Sequence, residues 1–162
     1  MRLRQLRADE AERLRELRLR ALREDPAAFA ESYEAARARP PEDWARWAAD
    51  ESLVIVVAID GERWVGMVAC RMLDETPGST WLTALWVDPS VRGAGLGARL
   101  IEAVANWSRE RGATAIELSV TTNNASAAAL YARAGFTETG HRRPLPSDPS
   151  RTEVFLSRPV RP

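Results

Sequence analysis

The spacing of apolar and polar positions changes several times along this chain. After an alternating strand at residues 2–7, apolar residues recur at helical spacing over residues 9–24, with arginines and glutamates opposite them. A continuously apolar run at residues 53–59 is typical of a strand covered on both faces. The same reading predicts these further elements: helices over 27–38, 42–50, 96–112 and 124–134, and strands over 63–72, 80–87, 116–120, 136–142 and 152–157.

Turn and capping residues mark the ends of these elements. Asp9 is the predicted N-cap of the first helix, which ends at Asp25 before a proline. Asp60-Gly61 predicts a hairpin turn, and the proline- and serine-rich residues 144–150 predict a loop. We find no linker or repeat, so a single domain over residues 1–162 is expected.

Composition removes several classes of function. The chain has 23 basic and 23 acidic residues, so nothing in its net charge favours nucleic acid or an anionic membrane as a partner. A single cysteine, Cys70, excludes a disulfide framework, and a single histidine, His141, gives no support to a metal site. Because no apolar run has membrane-spanning length and the first residues lack a signal-peptide core, a cytoplasmic protein is expected.

A glycine-rich segment, Arg92-Gly93-Ala94-Gly95-Leu96-Gly97-Ala98, separates a strand from a helix. Glycine allows sharp turns and close backbone approach, and the N-terminus of a helix favours a bound phosphate. The third glycine falls one position too early for a dinucleotide-binding G-x-G-x-x-G loop. A Walker A loop requires lysine, and this chain has none. The segment therefore predicts a pyrophosphate site of another kind.

A second motif, Asn-x-x-Ala-x-x-Leu-Tyr-x-x-x-Gly-Phe, occupies residues 124–136. Asn124 is a suitable helix N-cap, and Ala127 and Tyr131 lie near it on one helix face. Together with Arg92-x-x-Gly95-x-Gly97, this block resembles the GNAT acetyltransferase superfamily. The resemblance covers about residues 53–157, and the early helices also look like those of bacterial members.

The resemblance implies an α/β fold with a central, mostly antiparallel sheet of six to seven strands, helices on both faces and the order β-α-α-β-β-β-α-β-α-β-β. It also implies transfer of an acetyl group from acetyl-CoA to a primary amine, by direct attack in a ternary complex without a metal. The strand at 80–87 would splay from the strand at 116–120, with the acetyl-CoA arm between them. The implied acetyl-CoA contacts are Leu85, Trp86, Val87, Arg92, Gly93, Ala94, Gly95, Leu96, Gly97, Ala98, Asn124, Ala127 and Tyr131.

Catalytic chemistry is suggested most clearly at Tyr131. A phenol of pKa about 10 is protonated at neutral pH and can donate to the departing thiolate. A general base is harder to identify, because the strand before the glycine loop contains no glutamate. Ser119 stands at a second position where relatives often carry glutamate. Glu117 is the weak candidate beside it, and strand alternation is expected to turn its side chain to the other face.

Three further carboxylates are candidates for the role of base. Asp74 and Glu75 lie on a loop that could reach the acceptor, whereas Asp88 precedes a proline and is predicted to be a turn residue. Deprotonating a lysine-like amine at pH 7 costs about 4–5 kcal/mol, against about 1 kcal/mol for an α-amine. A site without a base therefore favours an amine of low pKa, or a water relay through Thr83 and Ser119.

The acceptor pocket is predicted to have an aromatic wall, which suits an apolar or cationic acceptor. The residues of this wall are Phe29, Tyr33, Trp44, Trp47 and Trp86, with His141, Arg142 and Arg143 near its rim. A small-molecule amine is the leading acceptor. A protein α-amine or lysine, and a non-catalytic acetyl-CoA-binding regulatory module, are the alternatives. A homodimer is favoured because relatives are often dimers.

Overall fold

A computed structural model of the chain describes residues 1–74 and 78–161. The strands are β1 (Arg2–Gln5), β2 (Leu53–Asp60), β3 (Arg63–Met72), β4 (Ser79–Val87), β5 (Ala115–Thr121), β6 (Thr137–Leu145) and β7 (Asp148–Pro159). The helices are α1 (Ala11–Glu24), α2 (Tyr33–Arg37), α3 (Pro41–Ala49), α4 (Leu96–Glu110) and α5 (Ala125–Arg133). All seven strands join one sheet in the order β1-β2-β3-β4-β5-β7-β6.

Helices cover both faces of this sheet, as the alternation of β2 shows. Its even-numbered residues 54–58 pack into an apolar cluster with α4 and with Tyr131 of α5. Its odd-numbered residues 55–59 pack into a second cluster with α1 and α3. Because successive strand side chains point to opposite faces, one apolar strand fills both clusters. The predicted GNAT-type α/β fold, with helices on both faces of a mostly antiparallel sheet, is confirmed.

The sheet opens between β4 and β5. These strands run parallel, and their pairing covers only Ser79↔Ala115 to Trp81↔Glu117. Beyond Trp81 the two strands pair no further, whereas β5 continues alongside β7 up to Thr121. The carboxyl-terminal half of β4 therefore has an edge that no described strand pairs, as the predicted splay requires.

An irregularity in β4 lies at this opening. Ala84 adopts φ +58°, and the register against β3 shifts between Met67 and Ala69. A left-handed conformation costs a non-glycine residue about 1–2 kcal/mol. The sequence pattern gave no signal for this bulge, which changes the direction of the strand next to the cavity.

Three predicted boundaries are wrong. The helix predicted over 27–38 is reduced to a 3₁₀ turn and the five-residue α2. The first helix is not capped by Asp9, because the neighbouring Glu10 takes the N-cap position and its carboxylate accepts from the Arg7 backbone N–H at 2.8 Å. The loop predicted over 144–150 is the tip of the β6–β7 hairpin, where β6 is an edge strand that tolerates Pro144.

Within the described ranges, we find no helix with the length and apolar character needed to cross a lipid bilayer.

Candidate active site

A cavity of about 840 Å³ passes through the opening between β4 and β5. On the α4 and α5 face it is lined by the glycine loop and by the first turns of both helices. On the α1–α3 face it is lined by residues from α1, the segment around α2, and α3. We call these the cofactor side and the acceptor side. All of the predicted acetyl-CoA contacts except Ala94 lie on the wall.

Backbone geometry accounts for the glycines of the loop. Gly93 has φ +85° and Gly95 has φ +79°, which other residues rarely adopt. Gly97 is needed for space, since a Cβ there would lie 3.0 Å from Cδ2 of Leu130 on α5. Gly95 is also the N-cap of α4, so the unpaired N–H groups of that helix point toward the cavity mouth. The loop therefore exposes backbone N–H groups, without side chains in the way, beside the positive end of the α4 dipole, which is an arrangement suited to a bound phosphate.

Asp88 holds the turn that precedes this loop. Its side chain accepts from the Ser90 backbone N–H at 2.9 Å, which confirms the predicted turn role. The same buried carboxylate pairs with Arg63 at 2.8 Å and with Arg20 at 3.2 Å. Burial acts to raise the pKa of Asp88, but the Ser90 hydrogen bonds and the two arginines outweigh it and hold the pKa below its ordinary value. The carboxylate thus stays charged and fixes the approach to the glycine loop.

Asp25 connects the two sides of the cavity. It accepts from Nη2 of Arg92 and from Nε1 of Trp86, both at 2.7 Å. Arg92 also donates to the Val87 carbonyl at 2.9 Å. Sequence analysis assigned Asp25 only the end of a helix, because its partners lie more than sixty residues away. Trp86 lies on the cavity wall as predicted, and its buried indole ring also packs into the apolar cluster beneath α1.

Tyr131 and Asn124 lie on the cofactor side, both on the cavity wall. Asn124 caps α5 by accepting from the Ala127 N–H at 3.3 Å. Tyr131 is 8% exposed and packs edge-to-face on Phe136, with ring centroids 5.6 Å apart. Burial raises the pKa of its phenol, so the hydroxyl stays protonated throughout the neutral range. Its position and protonation state suit a proton donor.

Glu117 does not reach the cavity wall. The side chain of Glu117 was predicted to point away from that of Ser119, and this is wrong. Residues two apart on a strand share a face, so both side chains lie on the same face of the sheet. Glu117 is excluded as the general base by its position along the strand. It is the register partner of Trp81, where β4 and β5 are still hydrogen-bonded to each other. Ser119 and Thr83, the predicted relay residues, both line the cavity.

The predicted acceptor residues divide into two groups. Phe29 and Trp47 line the acceptor side, together with Trp81, which sequence analysis did not single out. Tyr33 and Trp44 are not on the wall, which corrects the predicted aromatic surface. Both pack in the apolar cluster beneath α1, where their rings support the helices.

The rim residues and the loop carboxylates have other surroundings. His141 is exposed and packs at a tilt against Phe155, with ring centroids 4.5 Å apart, and Arg142 pairs with Glu138. Asp74 is exposed and does not line the cavity. Glu75 lies outside the described residues.

Three carboxylates, Asp25, Glu31 and Glu153, lie on the described cavity wall, and each is paired with an arginine. Glu153 of β7 is buried and accepts from Arg143 at 3.0 Å. Glu31 pairs with Arg39. Because each charge is already compensated, the described wall presents no unpaired carboxylate base.

Arg18 of α1 also lies on the acceptor side. Burial lowers the pKa of its guanidinium, while Glu31 acts in the opposite direction. Sequence analysis counted Arg18 among the solvated arginines of the first helix. Its spacing is a local signal that sequence analysis overlooked, because Arg18 lies four residues from both Leu14 and Leu22 and therefore on the apolar face of α1.

Comparisons with known proteins agree with this geometry. Residues 12–136 match the profile described as the acetyltransferase (GNAT) family. Over 123 residues, 75% of this chain, the sequence is 36% identical to the mycothiol acetyltransferase of Beutenbergia cavernae. The match spans 39% of that relative, so the chain covers well under half of its length.

Solved structures show the same fold at low sequence identity. The yncA structure from Salmonella typhimurium, determined with its cofactor acetyl-CoA, gives a TM-score of 0.81 at 18% identity, over 100% of this chain and 95% of that one. The ribosomal-protein-alanine N-acetyltransferase of Brucella melitensis gives a TM-score of 0.80 at 19% identity, over 99% of this chain and 100% of that one.

Proposed function

Because the chain belongs to the GNAT family of acetyltransferases, whose members take the acetyl group from acetyl-CoA, we propose that it acetylates the primary amine of a small molecule by direct attack in a ternary complex. One observation carries this proposal. A single cavity connects the glycine loop, which is suited to binding phosphate, on one face of the sheet with a space lined by aromatic residues and arginines on the other face. Two substrates can therefore meet at the opening between β4 and β5 without a covalent enzyme intermediate.

The cofactor side fits acetyl-CoA, which when bound supplies the acetyl group as a reactive thioester. The glycine loop and the α4 N-terminus would hold its diphosphate through backbone N–H groups and the helix dipole. The unpaired edge of Leu85–Val87 would hydrogen-bond its amide-bearing arm as a neighbouring strand would. A backbone N–H on this edge would also stabilise negative charge developing on a carbonyl oxygen.

Tyr131 is the proposed general acid. Its hydroxyl is protonated at neutral pH, the residue lies on the cavity wall, and its side chain is buried. Donation of this proton to a departing thiolate avoids the release of an unstable anion into an apolar site. Asn124 is proposed to hydrogen-bond the acetyl-CoA arm or a water from the opposite end of the same helix face.

The acceptor amine must lose a proton without an evident carboxylate base. Thr83 and Ser119 line the cavity between the two sides and are proposed to support a water relay. Such a relay is weak, so an amine of low pKa is the better acceptor. The difference from a lysine-like amine is about 3 kcal/mol at pH 7.

The test is thiol release from acetyl-CoA against polyamines, amino acids, aminoglycosides, aryl amines and short peptides, with acetyl-CoA binding measured in parallel by calorimetry. Turnover of a small amine supports the proposal and identifies the acceptor class. Turnover of peptides alone would overturn the small-molecule assignment. Acetyl-CoA binding with no thiol release for any amine would overturn catalysis and favour a regulatory acetyl-CoA-binding module.

A further inference from the structure

Arg18 is a buried cation on the acceptor side of the cavity. It lies in the middle of α1, is 9% exposed, and stacks its guanidinium on Phe29 with Cζ 4.6 Å from the ring centroid. A guanidinium remains charged in a protein, so this side chain brings a positive charge into a largely desolvated wall. Such a charge is stable only when its hydrogen-bonding groups are satisfied.

The hydrogen bonds of Arg18 are incomplete. Nη2 approaches Oε1 of Glu31 at 3.5 Å, the outer limit of a hydrogen bond. Nε and Nη1 are buried and have no partner within the described part of the chain. Together these two atoms carry three of the five N–H groups of the guanidinium. Leaving them unpaired is costly, and a carboxylate bound to either two-donor edge of the guanidinium would pair one of these atoms together with the weakly held Nη2.

The charges around Arg18 do not balance it. Glu31 is already paired closely with Arg39, whose other neighbour is the Trp44 ring. The remaining wall carboxylates, Asp25 and Glu153, have their own arginines. The acceptor side therefore carries one buried positive charge that its carboxylates do not compensate.

The diphosphate of acetyl-CoA is not a suitable partner for the Arg18 charge, because the glycine loop that would bind it lies elsewhere. The phosphate cradle lies on the α4 face, whereas Arg18 belongs to α1 on the opposite face of the sheet. The acceptor side also carries apolar rings: Phe29 contacts Arg18, and Trp47 and Trp81 lie on the same cavity wall. This combination of a planar cationic fork and apolar rings fits a molecule that has both an anionic group and an apolar part.

We propose that the acceptor is a small amine that also carries a carboxylate, as a free amino acid does, and that Arg18 binds this carboxylate. The inference rests on the proposed acetyl transfer and specifies its substrate class. Arg18 would donate hydrogen bonds to the carboxylate while the apolar rings contact the rest of the molecule. The acceptor would then be held by its acidic group at a fixed place relative to the opening between β4 and β5.

The test compares pairs of amines that differ by one carboxylate: phenylalanine with phenethylamine, and methionine with 3-(methylthio)propylamine. Acetyl transfer is measured as kcat/KM for each member at saturating acetyl-CoA. Binding is measured separately by calorimetry on the chain saturated with CoA, which gives a readout independent of turnover. We expect the carboxylate-bearing member to be preferred by about 30-fold, or about 2 kcal/mol, through its hydrogen bonds to a charged group.

Arg18→Met removes the charge and keeps an unbranched side chain of similar length. It is expected to lower kcat/KM and binding of the carboxylate-bearing members about 30-fold, and to change the decarboxylated members by less than about threefold. Arg23→Met is the matched control, because Arg23 is an exposed arginine of the same helix that does not line the cavity. Arg18→Lys keeps a cation without the planar fork and serves if the methionine variant does not fold. Its expected loss is about tenfold, again confined to the carboxylate-bearing members.

Two results would overturn the inference and leave acetyl transfer intact. One is equal use of both members of each pair by the unaltered chain. The other is an equal loss for both members in Arg18→Met, which would show a structural role only. Turnover of polyamines or aryl amines, with no turnover of either pair, would also reject the carboxylate while preserving the proposed function. Absence of thiol release with every amine would reject both.

Discussion

The cofactor side and the acceptor side of the cavity are built in different ways. The cofactor side comes from two short sequence segments, the glycine loop with α4 and the start of α5, and its geometry depends on glycine conformation and helix capping. The acceptor side is assembled from α1–α3 and the β6–β7 hairpin and is held by arginine–carboxylate pairs. The cofactor side is thus specified mainly by local structure, with the pairs of Asp88 with Arg20 and Arg63 as an exception, and the acceptor side by long-range contacts.

Long-range contacts on the acceptor side can be followed through single arginines. Arg151 of β7 donates to the Ala27 carbonyl and, at 3.3 Å, to Thr121 Oγ1, which joins the segment after α1 to β5 and β7. Arg92 reaches Asp25 across 67 positions of sequence. Substitutions on this side can change the acceptor without altering the phosphate cradle, since the two share few residues.

Removing the Tyr131 hydroxyl tests the proposed general acid, which acts where acetyl-CoA and the acceptor would react. Tyr131→Phe keeps the packing on Phe136 and is expected to lower kcat about 100-fold at saturating acetyl-CoA, because a general acid contributes about 10²–10⁴-fold. Steady-state thiol release measures this. Tyr33→Phe, which alters the other tyrosine and lies off the cavity wall, should retain full activity. Unchanged kcat in Tyr131→Phe would exclude the tyrosine as the acid.

The local character of the cofactor side is tested by Gly95→Val. Valine disfavours the φ of +79° found here, so the loop and the first turn of α4 must shift. Strain of about 1–3 kcal/mol predicts a loss of acetyl-CoA affinity of up to about 100-fold by calorimetry. Gly61→Val introduces a similar strain at φ +64° in the β2–β3 turn, away from the cavity. If both variants bind acetyl-CoA normally, the phosphate cradle has been misplaced.

Arg92 tests how far the two sides depend on each other. Arg92→Met is expected to weaken acetyl-CoA about tenfold, or about 1.4 kcal/mol, through loss of a charge at the mouth of the loop. Asp25→Asn, which releases Arg92 but keeps a hydrogen-bond acceptor for Trp86, should leave acetyl-CoA affinity within about threefold. Titration of both variants measures the contrast. A larger loss in Asp25→Asn than in Arg92→Met would make Asp25 the more important group for the cosubstrate.

The ion pairs that support α1 should respond to acid. Arg4, hydrogen-bonded to Glu10 at 2.6 Å, is the main cause that lowers the pKa of Glu10 to about 2. A lowered pKa means that the carboxylate stabilises the fold above its unfolded pKa of about 4.3, and that this contribution is lost as pH falls toward 2. Glu10→Gln is therefore expected to cost about 2 kcal/mol at pH 7 and almost nothing near pH 2.

Chemical denaturation of both forms across this pH range measures that difference. Asp43→Asn is the control, because its pair with Arg46 is exposed and contributes less than about 0.5 kcal/mol. An equal and pH-independent loss in Glu10→Gln would show that the buried pair does not act through its charge.

Sequence reasoning predicted the local structure of the cofactor side better than that of the acceptor side, because the contacts that shape the first are mostly local and those that shape the second are not. Gly93, Gly95 and Asn124 act on their own neighbours, so their spacing alone indicates the turn, the helix start and the cap. The spacing of apolar residues likewise predicted the strands of the sheet, since β2 is apolar and buried at nearly every position.

Acceptor-side features were missed because they depend on partners far away in sequence. Asp25 and Glu153 look like a helix end and a strand carboxylate until the folded chain brings their partners to them. Arg18 has the spacing of a buried helix position, but its contacts with Phe29 and Glu31 are visible only in the folded chain. Trp44 and Tyr33 were placed on the wall because an aromatic residue suggests a pocket as readily as a core. Ala84 gave no signal because any residue type can be forced into a bulge by its surroundings.

The most direct test is the structure of the chain crystallised with acetyl-CoA. The predicted result places the diphosphate against the backbone N–H groups of residues 93–98, the amide-bearing arm along Leu85–Val87, and the sulfur near the Tyr131 hydroxyl, with the space beside Arg18 left for the acceptor. A diphosphate bound away from the glycine loop, or an acetyl-CoA arm that does not enter the opening between β4 and β5, would contradict it.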